Sequence, residues 1–198
     1  MRMWSRVMSI SFAVCAPFAS AGAQNAVSPL ATVYSDLSPR LCASERKAGA
    51  PSVQSGSYTC KGVGGVTIEV AGAPGSLRAT LRRGAGPAAP PQAGPSRDLG
   101  DRVEWLGHRG AKGFEPEVAI LRLTNAAAGA GGVVEILRVT ENDICPAAFI
   151  DAASTPRPNE AVRRIAGEIA ASFHCGVDNP QSLGPAATLA RDASERHG

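Results

Sequence analysis

Between Val66 and Arg82 apolar and polar residues alternate on either side of a turn. Val66, Ile68 and Val70 alternate with Thr67 and Glu69; after Ala71–Gly75, Leu77, Ala79 and Leu81 alternate with Arg78, Thr80 and Arg82. A period of two puts every second side chain on one face, which predicts a hairpin with one buried side. Pairing Val70 with Leu77 sets Ile68 against Ala79 and Val66 against Leu81 inside, with Glu69 against Arg78 and Thr67 against Thr80 outside. Val103 and Trp105 alternate with Arg102 and Glu104 and predict a third strand. Two near-copies, Ile120–Thr124 (ILRLT) and Ile136–Thr140 (ILRVT), flank a Gly/Ala stretch and predict a second hairpin. In that hairpin Thr124 meets Val133, Leu123 meets Val134, Leu121 meets Ile136, and Arg122 faces Glu135. Asn142–Asp143 reads as a turn and Ile144–Ile150 as a short final strand.

Past Pro156 and Pro158 the period changes. Val162, Ile165, Ile169 and Phe173 recur three to four apart, one apolar stripe along a helix. Asn159 is placed to cap it and Gly176 to end it. Thr32–Cys42 is mixed: Tyr34, Leu37 and Leu41 have helical spacing, but Pro39 interrupts them. The Pro/Gly/Ala stretch 84–95 reads as a flexible loop and 177–198 as a flexible tail. The expectation is one α+β domain over 32–176: an antiparallel sheet of five or six strands, with one C-terminal amphipathic helix on a face.

Composition enters by exclusion. With 198 residues, 44% hydrophobic, 19% charged and 5% aromatic, the chain is no collagen, coiled coil or wholly disordered polymer. Its start is different in kind. Arg2 and Arg6 precede an apolar run, Ile10–Phe18, and then Ala21-Gly22-Ala23, the build of a secretory signal peptide over 1–23. A mobile leader, 24–31, would follow. The expected location is periplasmic or secreted. The apolar run falls short of the ~20 residues of a membrane-spanning helix. Phe12-Ala13-Val14-Cys15 has the outline of a lipoprotein box, so anchoring through Cys15 is the alternative. Removing 23 residues takes Arg2 and Arg6 and lowers the net charge from +3 to +1, which argues against a nucleic-acid partner.

Four cysteines remain after the leader: Cys42, Cys60, Cys145 and Cys175. An even count in an exported chain reads as two disulfides, and four cysteines allow three pairings. Cys42–Cys60 with Cys145–Cys175 is favoured, each closing a loop within one half of the chain. A metal site is the rival, but no Cys-x-x-Cys occurs, and no metal or cofactor is expected.

Catalytic motifs are scarce. There is no Gly-x-Ser-x-Gly, and Gly62-x-Gly64-Gly65 precedes a strand instead of linking a strand to a helix. Glu115 and Glu117 flank Pro116, a carboxylate pair with nothing beside it in sequence to suggest hydrolysis. The candidate ligand loop is Gly107–Gly113 after the Trp105 strand. It carries His108, Arg109 and Lys112, and could hold an anion through backbone N–H groups and Arg109. Trp105 is either a stacking platform for that loop or a core anchor. A second chemistry is a hydrolase using His108 with Asp101 or Glu104.

Tyr34-Ser35-Asp36-Leu37-Ser38 running to Cys42, Tyr58–Gly65 (YTCKGVGG), Leu99–Gly107 (LGDRVEWLG) and the Asn159-Glu160 helix ending at Cys175-Gly176 resemble a family of exported proteobacterial proteins of unknown function. The resemblance spans most of the chain after the leader. It implies export and the two bridges and carries no activity over. The functional expectation is a non-enzymatic binding module whose partner is an envelope protein or cell-wall component.

Overall fold

The computed structural model describes residues 30–42, 57–73, 76–86, 97–125 and 132–195. The proposed signal peptide with Cys15, residues 24–29 of the leader, 87–95 of the Pro/Gly loop, and His197 lie outside them. The chain runs β1 (Ala31–Asp36), a single helical turn α1 (Pro39–Cys42), β2 (Tyr58–Lys61), β3 (Val66–Ala71), β4 (Arg78–Arg83), β5 (Arg97–Gly110), β6 (Gly113–Asn125), β7 (Val133–Val139), β8 (Ile144–Asp151), α2 (Pro158–Ser172), β9 (Gln181–Leu183) and α3 (Pro185–Glu195). The fold is α+β in three layers.

The middle layer is a six-stranded sheet in the order β1-β5-β6-β7-β8-β9, antiparallel except for β9, which runs parallel to β8. One face packs on a separate sheet, β2-β3-β4, through Ile68, Val70 and Leu81 against Val103, Trp105, Leu121 and Leu137. The other face carries α2. Val162, Ile165, Ala166, Ile169 and Phe173 seat on Leu106, Val118, Ile120, Ile136 and Ile150. The predicted single sheet is thus two sheets, because the apolar side of the first hairpin closes over the larger sheet instead of joining its edge.

Both predicted hairpins form in a shifted register. In the first, Val70 pairs with Ala79 and Ile68 with Leu81, two residues from expectation. The turn closes later, with the Ser76 amide donating to the Ala73 carbonyl at 2.9 Å, and a two-residue slip leaves the same side chains buried. In the second, Leu123 pairs with Val133 and Ile120 with Ile136, one residue from expectation. A one-residue slip changes faces. Arg122 therefore does not meet Glu135. Glu135 is fully buried opposite Leu121 and Phe149, and Arg122 points to Glu104, Nη2 to Oε2 3.7 Å.

The helix ends also move. Residue 157, not Asn159, caps α2: Arg157 takes φ 48° and Pro158 opens the first turn, where its preset φ suits and its missing N–H costs nothing. The helix closes at Ser172, before Gly176, which sits at φ 76° in the following turn. The expected tail 177–198 holds structure in its described part: β9, and α3, whose Ala187 and Ala190 bury against Val133 and Phe149. Asp151 joins these elements. Its Oδ2 accepts the Ala186 amide at 3.2 Å in the first turn of α3, and its Oδ1 accepts those of Ala153 and Ser154 at 3.1 and 3.4 Å. Leader residue Ala31 belongs to β1, and Leu30 packs against the α2 core.

Both disulfides form as expected. Cys42–Cys60 ties α1, which continues from β1, to the small sheet, and Cys145–Cys175 ties β8 to the segment after α2. Each layer contact is thereby crosslinked once.

Candidate functional site

The segment read as a Gly-rich loop is mostly strand. Gly107, His108, Arg109 and Gly110 pair with Pro116, Glu115, Phe114 and Gly113, leaving Ala111-Lys112 as a two-residue turn. Consecutive amides of an extended strand point to opposite sides, so they cannot converge on one anion as a loop nest would. Arg109 and Lys112 are exposed and present side-chain charge only.

Trp105 does not join them. It is fully buried between the sheets, and its Nε1 donates to the Ser35 hydroxyl at 3.1 Å. Odd-numbered Trp105 and even-numbered His108 leave opposite faces of β5. The core-anchor reading describes its place, and the stacking platform is withdrawn.

His108 finds a carboxylate that spacing did not suggest. Between Leu106↔Val118 and Gly107↔Pro116 the ladder shifts, so Glu117 is the extra residue of a bulge in β6. Gly107 permits the tight approach there, since a Cβ on it would lie 2.0 Å from the Glu115 carbonyl oxygen. The bulge brings Glu117 Oε1 to 3.3 Å from His108 Nε2 and Oε2 to 3.7 Å from Arg138 Nη1. Arg138 also donates from Nη1 to the Glu117 carbonyl at 2.8 Å. A three-residue polar row, His108–Glu117–Arg138, thus crosses three strands at one end of the large sheet. No motif announces it; the only sequence signal is a proline beside a glutamate in a strand, a place where ladders break.

Beside the row lies an open groove of about 640 Å³. Lys112, Phe114 and Glu117 form one wall, and Arg138 with Thr140 and Glu141 forms the other. The small sheet supplies the third side with Gly64 and Arg83, whose Nη1 donates to the Thr140 carbonyl at 2.8 Å. Gly64 has φ 59°, and a Cβ there would lie 2.3 Å from Pro116 Cδ, so only glycine lets the β2–β3 turn rest on the bulge. The groove is therefore assembled from both sheets.

Thr140 is the only hydroxyl among the lining residues. It is occupied within its turn, donating to the Asp143 carbonyl at 3.0 Å and accepting the Asp143 amide at 2.9 Å. The other carboxylates considered for His108 are far away. Glu104 lies four residues back along β5, roughly 13 Å at strand rise, and Asp101 is exposed beside Arg102, 3.4 Å away. Glu115 is exposed on the groove rim. His174 is exposed at 3.5 Å from Asp178. Among the described residues no group of three or more His, Cys, Asp or Glu could hold a metal ion, and no helix is long and apolar enough to cross a membrane.

No family model, curated protein or solved structure matches the chain.

Proposed function

We propose that the protein is an exported binding module of the cell envelope that engages an envelope protein or cell-wall component without turning it over. The observation that supports this most is the groove. It is built from two crosslinked layers, it mixes cations with carboxylates and pairs Arg138 with Glu117, and Phe114 adds an aromatic edge, the mixture that interaction surfaces use. The two disulfides fit an oxidising compartment, and the resemblance to exported proteobacterial proteins points the same way.

The test is capture from envelope protein extract and, separately, from purified cell-wall material, comparing the intact protein with Lys112→Glu/Phe114→Ala. A component retained by the wild type and lost by the variant supports the proposal. Equal retention, or none in either arm, removes it.

A second reading is favoured by the 3.3 Å His108–Glu117 contact: an envelope hydrolase in which Glu117 orients His108 as general base. His108→Ala would then abolish turnover of an ester, peptide or glycan substrate and leave Tm unchanged. Wild-type material inert on all three ends that reading. Lipid anchoring through Cys15 is compatible with either and is decided by the mass of the mature N-terminus.

A further inference from the structure

On the face that carries α2, at its N-terminal end, sits a carboxylate with too little company. Glu104 is 7% exposed, and its Oε1 is sealed from solvent without a hydrogen-bond partner among the described residues. Its one ionic neighbour among the described residues, Arg122, stands 3.7 Å from Oε2, beyond hydrogen-bond length. A buried acceptor in this state is costly, and more so when charged. Glu104 sits at the margin of the α2 contact: of the flanking even-numbered positions on the same strand, Leu106 packs with α2 and Arg102 is exposed.

Above Glu104 lies a concavity of about 260 Å³, bordered by Tyr34, Arg102, Arg122, Asn159 and Arg163. Tyr34 is the cross-strand neighbour of Glu104 and is half exposed; the Arg102 guanidinium stacks on its ring, 5.8 Å from the centroid. Arg102 and Arg163 are exposed at its mouth. The lining holds three guanidiniums and one carboxylate. A lone cation would face a net positive rim, and a lone anion would leave Glu104 Oε1 without a donor. A small molecule with both charges answers both.

We propose that this pocket binds an α-amino acid, its ammonium donating to Glu104 and its carboxylate lying against the Arg102 and Arg163 guanidiniums, which favour planar oxyanions. The site is roughly 13 Å along β5 from His108, and the proposal is independent of the groove and of its partner.

Alanine carries the shared core of all α-amino acids and is the minimal probe. The experiment is amide chemical-shift titration of the disulfide-bonded protein with L- and D-alanine, with propionate and methylamine as half-ligands. Alanine is expected to shift the amides of Tyr34, Glu104 and Arg163, with each half-ligand binding at least tenfold more weakly. Glu104→Gln keeps the shape and should weaken alanine at least tenfold. Arg163→Ala, on the exposed side of α2, should do the same with no effect on the fold. Silence at tens of millimolar alanine, propionate binding as tightly as alanine, or unchanged affinity in both variants overturns the proposal.

Discussion

Replacing Cys145 and Cys175 together by alanine removes the one covalent tie between the α2 segment and the sheet. The bridge closes a loop of sequence separation 30. In the chain-entropy account such a loop contributes about 3.6 kcal/mol at 25 °C. A domain of this size has ~5–15 kcal/mol in total. Alanine is the right replacement because it puts no new polar atom beside the α2 core. With a urea slope of ~2 kcal/mol/M, the midpoint should fall by roughly 1.8 M at unchanged slope. Trp105, the only tryptophan in residues 24–198, is buried between the two sheets, away from α2, so its fluorescence reports loss of the whole fold and not local fraying. Amide exchange resolved along the chain should rise first over the last turn of α2. A midpoint within about 0.5 M of wild type would mean that the apolar stripe alone holds α2 and that the bridge contributes little. The same calculation gives about 3.2 kcal/mol for Cys42–Cys60, from its separation of 18.

Burial opposes the charge on Asp151, but the Ala186 amide, the Ser154 hydroxyl and the amides of Ala153 and Ser154 outweigh it and hold its carboxyl below the ordinary value of 3.8. A lowered folded-state value means stability that is present above pH 3.8 and lost as the pH falls through the folded value. Asp151→Asn should therefore flatten the acid limb of the stability profile and cost about 1 kcal/mol at pH 7, read by thermal melts across pH 2–7. Ser35→Ala leaves the buried Trp105 Nε1 without an acceptor and should cost ~1–3 kcal/mol in urea unfolding. Ile165→Ala empties a fully packed site under α2 and should cost ~2–5 kcal/mol by the same assay. Gly64→Ala forces a Cβ into Pro116 at positive φ; a Tm equal to wild type would show that the β2–β3 turn does not rest on the bulge.

Where one face of an element meets water, its sequence speaks clearly. Val66–Val70 with Leu77–Leu81 reads as a hairpin, and the α2 stripe reads as a helix, because each has a polar side to contrast with. Register within the first hairpin was not legible, since pairings two residues apart bury the same side chains. The second hairpin fared worse. Val133–Leu137 is buried on both faces, so alternation carries no information there, and the plausible Arg122–Glu135 pair proved to point to opposite sides. Over α3 the sequence offers no more than a helical turn near Leu189 in a tail, because alanines make its buried face while Leu189 points outward, 68% exposed. The polar row failed to announce itself for a different reason: Glu117 reaches His108 only through a bulge, and a bulge is a property of two strands together. Cysteine parity, by contrast, needed no geometry.

The proposed export and trimming, together with the two crosslinks, are tested by a single number, the intact mass of the protein isolated from cells without reductant. The expected species begins at Gln24 and is four hydrogens lighter than its reduced sequence, unreactive to thiol reagents until unfolded and reduced. An untrimmed chain with all its thiols free would contradict it.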